Sequence, residues 1–194
     1  MERAIVVGCP GGGKSTFARR LAAITGLPLH YLDMLWHRPD RTNIPQEEFD
    51  RQLALWAAEE RWIIDGNYQR SLEVRLERCD TVFFLDLPTR VCLEGVAARR
   101  GKVREDMPWI EEEPDPEFLR WIVDFPRDRR PGLWRLLERY RENREIIVFH
   151  SRREADRWLD RLEREEKPLC GGNSKKPVRN CDAIRRNAND AAGT

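Results

Sequence analysis

The amino-acid sequence predicts an α/β fold in which helices cover both faces of a five-stranded parallel β-sheet. Five short apolar segments lack the alternation of a half-exposed strand, which indicates strands buried on both faces. They lie at residues 4–7, 29–32, 62–64, 81–85 and 146–149. Segments with helical periodicity separate them, and this strict alternation favours a doubly wound sheet with right-handed crossovers.

The helices are predicted from the spacing of apolar residues between those strands. The first covers residues 14–25 and ends at Gly26, a natural C-terminal stop. The second begins near Pro45, since proline is favoured in the first turn of a helix. The remaining helices are predicted around residues 72–79, 91–100, 117–125, 133–143 and 154–165.

Length and composition predict one folded domain followed by a tail. The chain has 194 residues, and we assign residues 1–166 to the domain. Residues 167–194 contain almost no large apolar side chains, so we expect disorder there. This tail carries six basic and two acidic residues, whereas the domain has 29 basic and 32 acidic ones. A slightly acidic domain is a poor electrostatic match for duplex DNA.

Neither a targeting segment nor a membrane span is expected. No apolar run approaches the roughly 20 residues that a spanning helix needs, and the first strand begins at Arg3 without a signal-peptide pattern. The five cysteines form no CxxC pair, and the three histidines show no ligand spacing, which makes zinc unlikely to be bound. Scattered thiols fit a reducing compartment, so we expect a cytoplasmic location.

Residues 8–16 match the phosphate-binding pattern Gly-x4-Gly-Lys-Ser. The loop follows an apolar strand and opens an amphipathic helix, as this motif requires. Its glycines let backbone N–H groups point at phosphate oxygens, and the helix N-terminus adds partial positive charge. Lys14 is predicted to reach the β- and γ-phosphates of ATP, while the Ser15 hydroxyl ligates Mg²⁺. The predicted nucleotide-binding residues are Gly8, Pro10, Gly11, Gly12, Gly13, Lys14, Ser15 and Thr16.

Three aspartates follow predicted strands at the edge of the sheet where ligands bind in such folds: Asp33, Asp65 and Asp86. A carboxylate at this edge can hold Mg²⁺ or accept the proton of an attacking hydroxyl. Aspartate also ends strands through its own local hydrogen bonds. We favour a functional role for Asp65, a turn role for Asp86, and leave both open for Asp33.

Between Gly101 and Pro116 two more prolines and an acidic cluster interrupt the alternation, which predicts a lid at about residues 100–130. Basic residues flank this segment, and Arg100, Arg104 and Arg130 are the candidates that stabilise a transferring phosphate. The alternative is a solvated basic face that pairs with neighbouring carboxylates. Trp36 and Trp109 are candidates for stacking on an acceptor.

Several of these segments together resemble the bacterial topology modulation protein family, whose members are small adenylate-kinase-like P-loop proteins. The resemblance rests on Val-Gly-Cys-Pro-Gly-Gly-Gly-Lys-Ser-Thr at 7–16, Leu-Asp at 32–33, Trp-Ile-Ile-Asp-Gly-Asn-Tyr at 62–68 and Arg-Leu-Glu-Arg-Cys-Asp-Thr-Val at 75–82. It extends to Arg-Gly-Lys-Val-Arg-Glu-Asp-Met at 100–107, where Glu105 replaces an expected proline, and to Val-Phe-His-Ser-Arg at 148–152. It implies a nucleotide-kinase-type sheet with a lid, and places Asp65 at the Walker B position. Asn67-Tyr68 stands where adenylate kinases have Phe-Pro-Arg, which argues against AMP as acceptor.

Together these features predict a phosphotransferase that uses MgATP to phosphorylate a small acceptor of nucleoside or nucleotide type. The predicted catalytic residues are Lys14, Asp33, Asp65, Arg100, Arg104 and Arg130, and the predicted metal ligands are Ser15 and Asp65. The alternative is a nucleotide-gated regulator that affects DNA topology without phosphorylating an acceptor, as the family name implies. A third hypothesis is a simple NTPase switch, which would hydrolyse the nucleotide without any acceptor.

Overall fold

The computed structural model describes residues 1–113 and 115–166. All five strands are parallel and form one sheet in the order β2-β3-β1-β4-β5. The strands are β1 (Arg3–Gly8), β2 (Leu29–Tyr31), β3 (Trp62–Asp65), β4 (Thr81–Leu85) and β5 (Glu145–Phe149). The predicted fold class is therefore confirmed. The tail predicted at 167–194 lies outside the described residues.

Eight α-helices accompany the sheet within the described ranges. They are α1 (Lys14–Thr25), α2 (Leu32–Trp36), α3 (Gln46–Ala58), α4 (Leu72–Leu76), α5 (Thr89–Arg99), α6 (Pro116–Asp128), α7 (Arg130–Arg139) and α8 (Arg152–Glu166). A 3₁₀ turn, Gln69–Ser71, precedes α4. None of these helices combines the length and apolarity that crossing a membrane requires.

The apolar segments became strands because their side chains are buried on both faces of the sheet. In the central strand β1, Ala4, Ile5, Val6 and Val7 have no exposed surface, and β4 is buried along its whole length. The edge strand β5 buries only Phe149 completely. An edge strand has one neighbour fewer to cover it, and this explains its partial exposure.

An aromatic cluster fixes α1, and with it the phosphate loop, against the sheet. The Phe17 ring on α1 lies with its centroid 4.9 Å from that of Phe83 on β4 and 5.5 Å from that of Phe149 on β5. Trp158 of α8 packs on the same group, 4.8 Å from Phe83. At such separations aromatic pairs add stability beyond the area they bury. Gly26 ends α1 at φ 68°, as predicted.

The structure changes one predicted boundary that matters for the site. The second strand ends at Tyr31 rather than at residue 32, and Leu32 opens the short helix α2. Tyr31 pairs with Asp65, so β2 and β3 end at the same level of the sheet. Leu32 is fully buried, and Asp33 consequently lies in the first turn of a helix above the strand ends.

The segment predicted as a lid has two parts. Residues 100–113 and 115 contain no helix or strand, whereas α6 begins at Pro116 with Asp115 as its N-cap, accepting the backbone N–H of Glu117 at 2.9 Å. Helix α6 buries Ile122 and Phe125 in the domain core. The predicted segment therefore combines an irregular loop with a helix that is anchored in the core and also lines the cleft through Phe118 and Trp121.

Candidate active site

The phosphate loop has a backbone that only glycine accommodates at two of its positions. Gly8 has φ 142° and Gly11 has φ 76°. A Cβ at Gly11 would lie 2.0 Å from the backbone oxygen of Cys92 on α5, and one at Gly8 would lie 2.4 Å from that of Leu85. Real Cβ atoms do not approach backbone so closely, and L side chains rarely adopt such φ values. Among the predicted glycines, Gly8 and Gly11 are thus required by the fold itself.

Helix α1 starts directly at the end of this loop. Its N-cap, Gly13, has φ 95° and carries no side chain to cap the helix, and the first turn contains Lys14, Ser15 and Thr16 without any acid. The orphan N–H groups and the helix dipole therefore present partial positive charge to the cleft. Lys14 folds back over the loop, where its Nζ donates to the carbonyl of Cys9 at 3.3 Å.

Asp65 ends β3 beside this loop and is almost completely buried, with 4% of its surface exposed. Its Oδ1 has no hydrogen-bond partner within the described part of the chain. Burial raises the pKa of Asp65 to about 6, although Lys14 and the Ser15 hydroxyl both favour the ionised form. Such a carboxylate is poised to take a cation or a proton.

Asp33 and Tyr68 form a pair that sequence analysis only half identified. The Tyr68 hydroxyl donates to Asp33 Oδ1 at 2.9 Å, which joins α2 to the loop after β3. Burial and the neighbouring Asp33 charge raise the pKa of Tyr68, so its proton stays available for this bond. The tyrosine fixes the carboxylate, and the carboxylate keeps its remaining lone pairs for other donors.

Arg75 holds that loop in place, a role that was not predicted for it. The side chain is fully buried, and its guanidinium donates to the carbonyls of Gly66 at 2.7 Å and Tyr68 at 3.0 Å. Burial lowers the pKa of Arg75 to about 10, so it remains a cation at neutral pH. One signal for its burial was present in the sequence. Arg75 lies on a short helix between Leu72 and Leu76, which are both buried.

Two arginines of the lid region form a compact network with two acids. Arg104 donates to Glu111 Oε2 and to Asp106 Oδ2, both at 2.6 Å. Arg99 shares the same glutamate, donating from Nη2 to Oε1 at 3.1 Å. Arg99 and Arg104 are largely buried, and both line the cleft. Arg104 was predicted as a site residue, whereas Arg99 was named only as a flanking basic residue.

Two predicted arginines lie elsewhere. Arg130 binds Asp86 through two hydrogen bonds of 2.7 and 2.6 Å, and Arg100 pairs with the exposed Glu113 at 2.7 Å. Neither arginine is among the residues that line the cleft. Their geometry therefore favours the alternative interpretation, in which basic residues pair with carboxylates of the same domain. Asp86 acts at the end of β4 as the partner of this ion pair.

One cleft of about 1540 Å³ brings most of these groups together, although the buried Asp65 is not among the residues that line it. Its lining includes residues 10–17 of the phosphate loop and α1, Asp33 and Asn67 beyond the strand ends, and Lys102, Val103, Arg104, Asp106 and Met107 of the lid. Trp36 and Trp109 also line the cleft. Arg152 of α8 also lines it and donates to the carbonyls of Gly11 at 2.8 Å and Val91 at 3.1 Å, which braces the loop from behind.

The residues present fit Mg²⁺ that arrives with a nucleotide. The described residues contain no group of three or more His, Cys, Asp or Glu side chains with the geometry to hold a metal by themselves. Mg²⁺ does not need such a cage, because it is commonly bound by one or two protein groups, substrate phosphates and waters. The Ser15 hydroxyl and the unpartnered oxygen of Asp65 are hard oxygen donors of the required kind.

The comparisons with known proteins support the fold. No family model and no curated protein matches the chain, so membership of the topology modulation protein family stays a prediction. A crystal structure of an unliganded sugar kinase from Janibacter sp. HTCC2649 is similar, with a TM-score of 0.52 over 83% of this chain and 91% of that one. The two chains share 20% sequence identity, so the similarity shows a shared fold and nothing about activity or substrates.

Proposed function

We propose that this protein is a phosphotransferase that uses MgATP to phosphorylate a hydroxyl group of a small molecule. The observation that carries the proposal is the convergence, in one cleft, of the phosphate loop, the Asp33–Tyr68 pair and the Arg99–Arg104 pair. A phosphate donor site alone would fit any P-loop protein. A fixed carboxylate across the cleft supplies the second component that transfer to an acceptor needs.

The donor half consists of residues 8–16. Backbone N–H groups of the loop and of the first turn of α1 bind the phosphates, and Lys14 adds a full positive charge. Ser15 and Asp65 would hold Mg²⁺, which neutralises charge on the β- and γ-phosphate oxygens. At neutral pH most Asp65 side chains are ionised, since the pKa is about 6, and a bound dication favours ionisation further.

The acceptor half is built on Asp33. Its carboxylate is an acceptor of hydrogen bonds only, so it orients a donor such as a hydroxyl and takes up its proton as the phosphate moves. Tyr68 holds the carboxylate in position, and Arg75 holds Tyr68 through its backbone. Asn67 and Tyr68 replace the Phe-Pro-Arg segment whose arginine contacts AMP in adenylate kinases, which agrees with an acceptor that differs from AMP.

The lid arginines complete the proposed mechanism. Arg99 and Arg104 present planar guanidinium groups, which suit the equatorial oxygens of a transferring phosphoryl group. Their charge is balanced by Glu111, which both arginines contact, and by Asp106, which Arg104 contacts. Exchanging Glu111 for a phosphate oxygen at these arginines would link nucleotide binding to the position of residues 100–113.

A phosphoryl-transfer screen tests the proposal. Purified protein with MgATP is assayed for ADP release against sugars, other polyols, nucleosides and nucleotides, with Asp33→Asn as the paired variant. We expect at least one hydroxyl compound to stimulate ADP release and to gain a phosphate visible by mass spectrometry. The variant should lose transfer by about 100-fold or more, because general base catalysis contributes about 10²–10⁴. Acceptor-independent hydrolysis that is equal in both proteins would contradict it and favour a simple NTPase.

A further inference from the structure

The lid carries a carboxylate directly onto the phosphate loop. Asp106 belongs to the irregular segment between α5 and α6, yet only 3% of its surface is exposed. Arg104 grips both its oxygens, with distances of 3.3 Å to Oδ1 and 2.6 Å to Oδ2, and Arg19 of α1 lies 3.5 Å from Oδ1. Asp106 is thus held in a buried position by two arginines, one from the lid and one from α1.

Asp106 lies beside the two groups that would hold the cation. Ser15 and Asp106 both line the cleft, and Arg19, which follows Ser15 by about one turn of α1, lies 3.5 Å from Asp106 Oδ1. The Ser15 hydroxyl favours the ionised form of both carboxyls, while the charge of Asp106 raises the pKa of Asp65. Asp65 is itself almost fully buried and leaves Oδ1 without a partner within the described residues. Two buried carboxylates around one hydroxyl, one of them unsatisfied, form an environment that a divalent cation would stabilise.

We propose that Asp106 is a lid-borne ligand of the divalent cation site formed with Ser15 and Asp65. The inference depends on the proposed function in one respect, because the bound nucleotide would supply the remaining ligands of the cation. Two hydrogen bonds from Arg104 leave lone pairs free on the carboxylate, which offers about four such sites. Hydrogen bonds that orient a ligating carboxylate are usual around metal ions. Arg104 is then a positioning residue for Asp106.

This arrangement would make closure of the lid depend on the cation. Asp106 already lies in the cleft with the phosphate loop, so a bound dication would hold residues 100–113 in this position over the nucleotide site. Arg104 and Arg99 belong to the same network and would be carried into place with it. The cation would thus assemble the donor site and the lid arginines together.

Calorimetric titration of the full chain with Mn²⁺, first alone and then in the presence of ADP, tests the inference. Asp106→Asn keeps the side-chain volume and removes the charge. Glu113→Gln removes another lid carboxylate, which is exposed and lies in an ion pair with Arg100. With ADP present we expect the Asp106 variant to bind Mn²⁺ about 10-fold to 100-fold more weakly, a typical loss for groups that tune a metal site. Asp106→Glu should retain part of the affinity, and the Glu113 variant should match the wild type.

A second readout follows the lid itself. Mn²⁺ with ADP should slow hydrogen exchange within residues 100–113 of the wild type and have less effect on the Asp106→Asn variant. Equal Mn²⁺ affinity in the wild type and the Asp106→Asn variant would overturn the inference. Tighter binding of ADP by the variant in the absence of metal would also overturn it, because that result would show that Asp106 competes with phosphate. If the wild type binds no ADP, the proposed function fails, and the titration with Mn²⁺ alone then tests the cation site. Weaker Mn²⁺ binding by the Asp106→Asn variant supports the site, while equal binding by the two proteins, or no binding, overturns it.

Discussion

Asp65→Asn should change how the stability of the nucleotide-free protein depends on pH. Burial raises the pKa of this carboxyl from about 3.8 to about 6, so the folded state prefers the protonated acid more than the unfolded state does. Stability from this group is therefore fully present below pH 3.8 and is lost as the pH rises through 6. The asparagine variant has no proton to lose at this position and should not show that loss.

The magnitude follows from the size of the pKa change. One pKa unit corresponds to about 1.4 kcal/mol, so the rise in the pKa of Asp65 amounts to about 3 kcal/mol between the fully protonated and fully ionised limits. About 2–3 kcal/mol of this falls between pH 4 and pH 8. The new amide has its own hydrogen-bonding cost, which is independent of pH and cancels when two pH values are compared.

Urea unfolding of both proteins without nucleotide or divalent cation measures this effect. We expect the free energy of unfolding of the variant, relative to the wild type, to increase by about 2–3 kcal/mol from pH 4 to pH 8. Glu113→Gln, at an exposed lid carboxylate, should show almost no such change. A difference between Asp65→Asn and the wild type that stays constant with pH would refute the reasoning. It would mean that water or a fixed partner reaches Asp65 in the native protein.

Three further substitutions test other parts of the site. Gly11→Ala should destabilise the fold by about 2–4 kcal/mol, measured by thermal unfolding, and abolish nucleotide binding. Gly26→Ala is the control: Gly26 has a similar φ but open space around it, so the substitution should cost only about 1–2 kcal/mol. Arg75→Met should cost about 3–5 kcal/mol because two buried carbonyls lose a charged donor, against less than about 1 kcal/mol for Arg139→Met on the surface. Tyr68→Phe should lower kcat with little change in the KM for MgATP; an unchanged kcat would separate Tyr68 from acceptor chemistry.

The fold and the donor half of the site could be predicted because local sequence determines them. Uninterrupted apolar segments such as residues 81–85 have few structural alternatives to a buried parallel strand. The phosphate loop is equally local, since the φ values at Gly8 and Gly11 are properties of nine consecutive residues between a strand and a helix. Both patterns are visible within short stretches of sequence, although the close approach of Leu85 to Gly8 and of Cys92 to Gly11 arises from packing against distant elements.

The acceptor half and the lid depend on contacts between distant residues, and sequence patterns do not display these. Tyr68 meets Asp33 across 35 positions, and Arg130 meets Asp86 across 44. Arg100 and Arg104 lie four positions apart in one basic segment, so charge alone could not distinguish Arg104, which lines the cleft, from Arg100, which does not. Asp106 was not singled out from the sequence, because its burial is a property of the folded loop.

Equilibrium binding of MgATP to the wild type and to Lys14→Ala tests the central claim most directly. Lys14 lines the cleft and donates a hydrogen bond to Cys9, so the variant should still unfold cooperatively, with stability at neutral pH lowered by the loss of the positive charge near Asp65. We expect saturable binding to the wild type and a loss of about 10-fold to 100-fold in the variant, since hydrogen bonds to charged groups contribute about 1.5–3 kcal/mol. Equal affinity in the two proteins, or no binding of MgATP by the folded wild type, would contradict the assignment of this cleft as an ATP site.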